Sequence, residues 1–235
     1  MTVAIAHRGD PVGHRENTLQ AFAGAVALGA DMVELDCKLT RDGRVVVLHD
    51  DTLDRLWGWD VPVRELDWPE LGEVRSEHYR VPELAEVLRA VDVPVMVDVE
   101  RPEVMEAALA VVVAEDCLER AVFAGGTQAL VHLRGLSSTA RVALTWDRLA
   151  PPSSDLLAAV RPEWFNPYFL LATPAVVRAH HEAGRGVSVW TVDDEEDIAV
   201  MLRAGVDAVI SNQVARLVGM ASAESGTPPE PGGLR

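Results

Sequence analysis

The stretch Met32-Val33-Glu34-Leu35-Asp36-Cys37-Lys38-Leu39-Thr40-Arg41-Asp42-Gly43-Arg44-Val45-Val46-Val47-Leu48-His49-Asp50 decides how the chain is built. Apolar, β-branched runs at 32–38 and 44–49 flank Asp42-Gly43, a dipeptide that suits a tight turn because both residues accept positive φ. No room is left for a helix between them, so the two runs form a β-hairpin. With Asp42-Gly43 as the two loop residues, Asp36 faces His49 across the ladder, Cβ atoms about 4.5–5.5 Å apart. The two-residue period of a strand puts Glu34 and Asp36 on one face and Cys37 on the other.

Outside this hairpin, short β-branched runs alternate with Ala- and Leu-rich stretches of helical period, the pattern of repeated β-α units around a parallel sheet. Strands are expected at 3–7, 32–38, 44–49, 94–99, 120–124, 140–145, 163–166, 186–191 and 207–211. Helices are expected at 18–29, 82–91, 102–115, 127–135, 153–160, 173–183 and 194–204, with a short last one near 213–219. Asn17-Thr18 and Thr173-Pro174 suit helix starts, and Gly29, Gly184 and Gly205 suit helix ends. Setting the hairpin arm aside leaves eight strands, the number that closes a barrel. The expected fold is α/β: a single (β/α)8 TIM-type barrel over 1–220, with a β-hairpin arm after the second strand and a small insertion near 57–81. That insertion carries Trp57, Trp59 and Trp68 and a short helix over 64–72. It reads either as a substrate lid or as a side-packed insertion. Residues 221–235, rich in Ser, Gly, Pro and Glu, are expected to form a disordered tail.

The 235 residues carry a formal charge of −16, with 49% apolar and 25% charged residues. This is the composition of a globular protein, and its charge argues against nucleic acid and anionic membrane surfaces as partners, since both need clustered Lys and Arg. An acidic chain that binds an anion needs local positive charge, and a divalent cation is one source. Two cysteines, Cys37 and Cys117, are too few for a disulfide framework and read as buried small hydrophobes. A strand beginning by residue 3 leaves no room for a signal peptide, and no apolar run approaches the roughly 20 residues that span a bilayer. The expected location is cytoplasmic, with no stable membrane insertion.

Polar groups collect where strands end: His7-Arg8-Gly9, Glu34-Leu35-Asp36, His49-Asp50 and Asp98-Val99-Glu100. Burying such groups is costly unless they share a task. Glu34 and Asp36 repel unless a cation or proton lies between them, and Asp98 on the next parallel strand supplies a third oxygen donor. All-oxygen ligation selects Mg²⁺ or Ca²⁺ over zinc. His7 and His49 form an acid–base pair suited to neutral pH. Arg8 presents a planar fork to two phosphate oxygens. Together they point to metal-assisted chemistry on a phosphate ester, with a small-molecule phosphodiester as partner. His180-His181 reads as helix surface, and the acidic run 193–197 as charge favouring a helix start. Trp146, Trp164, Asn166 and Tyr168 follow strands six and seven and are candidates for the pocket mouth.

At this point the chain resembles the glycerophosphodiester phosphodiesterase family, in the PLC-like phosphodiesterase barrel superfamily. The matching stretches are His7-Arg8-Gly9, Glu16-Asn17-Thr18-Leu19, Gly29 through Asp36, Thr40-Arg41-Asp42-Gly43 through His49-Asp50, Val81-Pro82-Glu83-Leu84, Trp190-Thr191-Val192 and Gly205-Val206-Asp207. The resemblance covers nearly all of 3–218. It implies metal-dependent cleavage of a glycerophosphodiester to glycerol 3-phosphate and an alcohol. His7 and His49 would be the catalytic acid and base, with Glu34, Asp36 and Asp98 as the metal ligands. Arg8, Glu16 and Trp190 would serve substrate: Arg8 on the phosphate, Glu16 in a motif near the metal, Trp190 as an aromatic wall. Glu100 departs from the lysine usual there, and either joins the metal shell or turns outward. Arg15 stands where proline is typical, Gly125-Gly126 replaces a serine- and phenylalanine-bearing segment, and Asn212 replaces an aspartate. Two other readings are lysophospholipase D-like hydrolysis of a lysophospholipid, and a catalytically weakened barrel that binds a phosphate ligand.

Overall fold

Runs such as Val95-Met96-Val97 and Ala121-Val122-Phe123-Ala124 are buried on both faces, which requires one layer inside the sheet and another outside it. The computed structural model describes residues 2–224 and shows how that is achieved. Its principal strands are β1 (Val3–His7), β2 (Met32–Leu39), β3 (Val45–Val47), β4 (Val95–Val99), β5 (Ala121–Gly125), β6 (Arg141–Trp146), β7 (Trp164–Pro167), β8 (Gly186–Val189) and β9 (Ala208–Ser211). All but β3 pair in parallel, and β1 pairs with both β2 and β9, so the eight close into a barrel. The helices outside it are α1 (Leu19–Ala27), α2 (Leu84–Ala90), α3 (Pro102–Ala114), α4 (Thr127–Leu136), α5 (Ser154–Val160), α6 (Pro174–Glu182), α7 (Glu195–Ala204) and α8 (Val214–Glu224). Thr18 and Thr173 cap α1 and α6 through their hydroxyls, as expected of those residues. Helix α8 runs on to Glu224, past the expected barrel boundary at 220; the rest of the expected tail, from 225, lies outside the described residues. Among the described residues no helix is long and apolar enough to cross a membrane.

Ile5, Met32, Met96, Val122, Ala143 and Ile210 fill the barrel interior. Two residues further along the same faces come His7, Glu34 and Asp98, which is how the pleat lifts polar groups onto the C-terminal rim above an apolar plug. Outward-facing Val33, Leu35, Val95, Val97 and Phe123 pack under the helices, with Cys37 and Cys117 buried among them.

The hairpin exists, but its register differs from expectation by one residue. Cys37 pairs with Val47, Lys38 with Val46 and Leu39 with Val45, around a three-residue loop, 41–43. Thr40 N–H donates to Arg44 O (3.0 Å), the Thr40 hydroxyl donates to Asp42 Oδ1 (2.6 Å), and Gly43 sits at φ +81°. Asp42 also accepts from Trp68 N–H (3.0 Å), so its carboxylate locks the loop and docks the insertion. A one-residue slip moves every partner. Leu48 N–H, not His49, therefore meets Asp36, at its carbonyl oxygen (3.0 Å), and His49 lies beyond the ladder.

The insertion is side-packed. Leu53, Trp57, Val63, Leu71 and Val74 form a separate apolar cluster on Val46 and Leu48 of the hairpin arm. Its expected helix over 64–72 is a 3₁₀ turn, Val63–Glu65, followed by a helix at Trp68–Gly72.

His180 is buried, not surface-exposed as its helix suggested: α6 stacks it on Phe165, ring centroids 4.0 Å apart and planes nearly parallel. Arg185 Nε donates to its Nδ1 (3.1 Å), which requires a bare nitrogen there. Burial, with Arg185 and His181 nearby, lowers its pKa to about 4. The unfolded chain takes up this proton near pH 6.5 and the folded chain only near 4. This contribution to stability is therefore complete above about 6.5 and is lost as pH falls towards 4. Urea midpoints measured over that interval should fall less steeply in His180→Phe than in the wild type; parallel slopes would refute the assignment.

Candidate active site

After His7 the chain must leave the barrel sharply. Arg8 (φ +58°) and Gly9 (φ +83°) make the turn, and a Cβ on Gly9 would lie 2.6 Å from the backbone of Ala21. Left-handed backbone at a bulky residue costs on the order of 1–3 kcal/mol and survives only where its surroundings demand it. Here Glu34 Oε2 accepts from the Arg8 backbone N–H (3.0 Å), and the Arg8 carbonyl accepts from Asn17 N–H (2.9 Å). The Arg8 guanidinium donates to Glu16 Oε1 (2.9 Å) and lies 3.1 Å from Asp36 Oδ2. Asn17 Nδ2 donates to that same Asp36 oxygen (2.8 Å).

The two histidines share a construction. His7 Nδ1 lies 2.8 Å from Asn212 Oδ1. Asp193 fixes which end of Asn212 faces the ring, accepting from its backbone N–H and from its Nδ2, both at 2.8 Å. The amide oxygen is therefore the end facing His7, so Nδ1 carries the proton and Nε2 is a bare acceptor. Burial and the neighbouring Arg8 lower the His7 pKa, in keeping with a neutral ring. His49 Nδ1 lies 2.7 Å from Asp50 Oδ1, and Asp50 Oδ2 accepts from Arg55 Nε (2.6 Å). Burial opposes ionisation of Asp50, but the hydrogen bonds from Arg55 and His49 outweigh it and hold the carboxyl at about 2. Arg55 also donates to both oxygens of Glu16 (2.6 and 3.1 Å). His49, Asp50, Arg55, Glu16, Arg8 and Asp36 thus form one continuous polar chain.

His7, Arg8, Glu34, Asp36, His49, Asp98, Glu100 and Trp190 line a single cavity of about 340 Å³ at the C-terminal end of the barrel. Trp190 is held by its Nε1–H donating to Asn166 O (2.9 Å), and Trp146 and Asn166 also reach the wall. Glu16 does not line it; its carboxylate stands behind Arg8. Glu100 is largely exposed at the rim of this cavity, with Lys38 Nζ 3.6 Å away.

Asp36 and Asp98 are register partners on adjacent strands, and Glu34 lies one step below. Burial, then the charges of Asp36 and Asp98, push the Glu34 pKa well up. Burial, then Asp36 and Glu100, push Asp98 to about 7. The Asp98 carboxylate makes no hydrogen bond or ion pair with any described residue. Crowded carboxylates, one of them with an unpartnered side chain, have the donor chemistry of a site for a hard cation. As they stand they do not close on a point: no three His, Cys, Asp or Glu side chains among the described residues are placed to grip one ion.

Arg55, Asn17 and the Asp193–Asn212 pair were not among the residues expected to shape the site. Arg55 follows Asp50 by five positions through a bend and a short helix, so no periodic pattern marks it.

Residues 7–216 match the glycerophosphoryl diester phosphodiesterase family. The chain belongs to this family. A glycerophosphodiester phosphodiesterase of Caldanaerobacter subterraneus subsp. tengcongensis is 28% identical over 93% of this chain and 97% of its own length. One from Bacillus altitudinis is 30% identical over the same shares of the two chains. The crystal structure of a glycerophosphodiester phosphodiesterase from Thermotoga maritima superposes with a TM-score of 0.81 at 27% identity, covering 94% of this chain and 98% of that one.

The orientation of Asn212 has a direct spectroscopic consequence. Imidazole ¹⁵N shifts at pH 7.5 should show His7 protonated on Nδ1 and bare on Nε2; the opposite tautomer would mean that Asn212 is turned over.

Proposed function

We propose that the protein hydrolyses a glycerophosphodiester to glycerol 3-phosphate and an alcohol, using His7 and His49 as base and acid. The observation that carries this reading is that both rings line one cavity with Nδ1 committed to an anchored oxygen, which leaves Nε2 for substrate. A site that only bound a phosphate would have no use for two such rings.

With the diester in the cavity, Arg8 sets its guanidinium against non-bridging oxygens, its orientation fixed by Glu16 and Asp36. The bare Nε2 of His7 takes the proton of the glycerol 2-hydroxyl as that oxygen attacks phosphorus. His49, its Nδ1 held by Asp50, gives its Nε2 proton to the departing alkoxide. A water then opens the cyclic phosphate with the two roles exchanged. Glu34, Asp36 and Asp98 are the residues that would hold a divalent cation, Mg²⁺ or Ca²⁺, and when bound it supplies positive charge beside the phosphate. Trp190 supplies an apolar wall for the glycerol or alcohol.

Glycerophosphocholine turnover with Mg²⁺, Ca²⁺, Mn²⁺ or a chelator tests this. Activity should require a divalent ion, and His7→Ala or His49→Ala should each lose on the order of 10²–10⁴ in rate. Failure to cleave any diester, or activity indifferent to chelator, would defeat the proposal. Arg55→Gln touches no substrate but frees both Asp50 and Glu16. It should cost about 10–100-fold in kcat with little change in the urea midpoint, and Arg55→Lys should recover part of it. An equal loss of stability and activity would reduce Arg55 to a structural tie.

A further inference from the structure

The charge around the cavity is unbalanced for an anionic ligand. Its wall carries five carboxylates, from Glu34, Asp36, Asp98, Glu100 and Asp147, against two guanidinium groups, from Arg8 and Arg148. Arg8 is already paired with Glu16 and Asp36. Lys38, paired with Asp51 and Glu100, does not line the cavity. Arg148 differs: it is exposed, and no described carboxylate lies within ion-pair distance of it. A phosphodiester brings its negative charge into this environment and needs a cation that is not already neutralised.

The loop after β6 holds Arg148 in place. Trp146 is buried and its Nε1–H donates to Ala150 O (2.9 Å), which folds residues 147–150 back over the indole. The Arg148 guanidinium carbon then lies 5.3 Å from the Trp146 ring centroid, so the side chain is stacked in place instead of sweeping through solvent. Stacking on a ring leaves the N–H edges of a guanidinium available.

We propose that Arg148 is a substrate-binding residue that closes on the phosphate from the side opposite Arg8, supplying the unpaired positive charge that the wall otherwise lacks. The inference rests on the reading that this cavity takes a glycerophosphodiester. Its ligand is the phosphate group common to substrate and product, not the head group. Because Arg148 holds phosphate before and after cleavage, its loss weakens ground-state binding.

Calorimetric titration of the full chain with glycerol 3-phosphate in the presence of Mg²⁺ tests this without requiring turnover. Arg148→Gln should bind roughly 10–100-fold more weakly than wild type, the usual worth of a charge-assisted contact, and Arg148→Lys should retain part of the affinity. Thermal midpoints should change little, since the side chain is exposed, makes no ion pair and loses only its stack on Trp146. In turnover, KM should rise by similar factors for glycerophosphocholine and glycerophosphoglycerol. Wild-type affinity in Arg148→Gln, or a KM effect confined to one head group, would overturn the proposal. So would a wild-type protein that binds no glycerol 3-phosphate. If wild type binds it, Arg148→Gln does not, and no diester is cleaved, Arg148 keeps its role and the hydrolase reading falls.

Discussion

Three carboxylates are forced together at the barrel mouth by the pleat of two parallel strands, and Arg8 is what makes their company tolerable. Glu34 and Asp36 share a face because side chains on a strand repeat every second residue, and the register then sets Asp98 beside Asp36. Buried like charges raise one another's pKa unless a cation intervenes. Arg8 meets two of the three, Glu34 through its backbone N–H and Asp36 through its guanidinium, and reaches them by adopting a left-handed backbone at the end of β1. Asp98 is left over.

The groups that touch the cavity are each held from behind by groups that do not. Asp193 orients Asn212, which orients His7; Arg55 orients Asp50, which orients His49; Glu16 steadies Arg8 and is itself held by Arg55. Each tie engages the Nδ1 of an imidazole or part of a guanidinium and leaves the other ring nitrogen or the remaining N–H groups out of it. Arg55 lies in the short helix Asp54–Trp57 that leads into the insertion, so the small apolar cluster around Trp57 and Leu71 helps to place both His49 and Arg8. The insertion is thus a brace whose core lies outside the barrel while its charge reaches the site.

Much of this was legible in the chain. Strands of five or so β-branched residues between helical stretches indicate a parallel barrel because burial on both faces leaves little alternative. His7, Glu34, Asp36 and Asp98 could be placed at strand ends from period two alone. The hairpin was visible too, but its register was not: Asp42 uses its carboxylate to lock a three-residue loop and to hold Trp68, and a two-residue turn would forfeit both contacts. His180 looked like helix surface because its neighbours are polar, yet its position on α6 faces Phe165. The family match agrees with the resemblance carried by the motifs, including the stretches where Arg15, Gly125-Gly126, Glu100 and Asn212 depart from the usual residues.

What the chain alone determined is the set of side chains that each strand delivers to the rim, since a strand's alternation is a local property that no distant contact can change. What only the tertiary structure decided is which atoms of those side chains are left to act. The bare Nε2 of His7, the ionised Asp50, the paired Arg8 and the unpaired Arg148 depend on partners as far away in sequence as Asn212 is from His7. Hydrogen bonding and charge pairing act over a few ångströms of space, and the closing of the barrel, not the order of residues, brings those groups within reach.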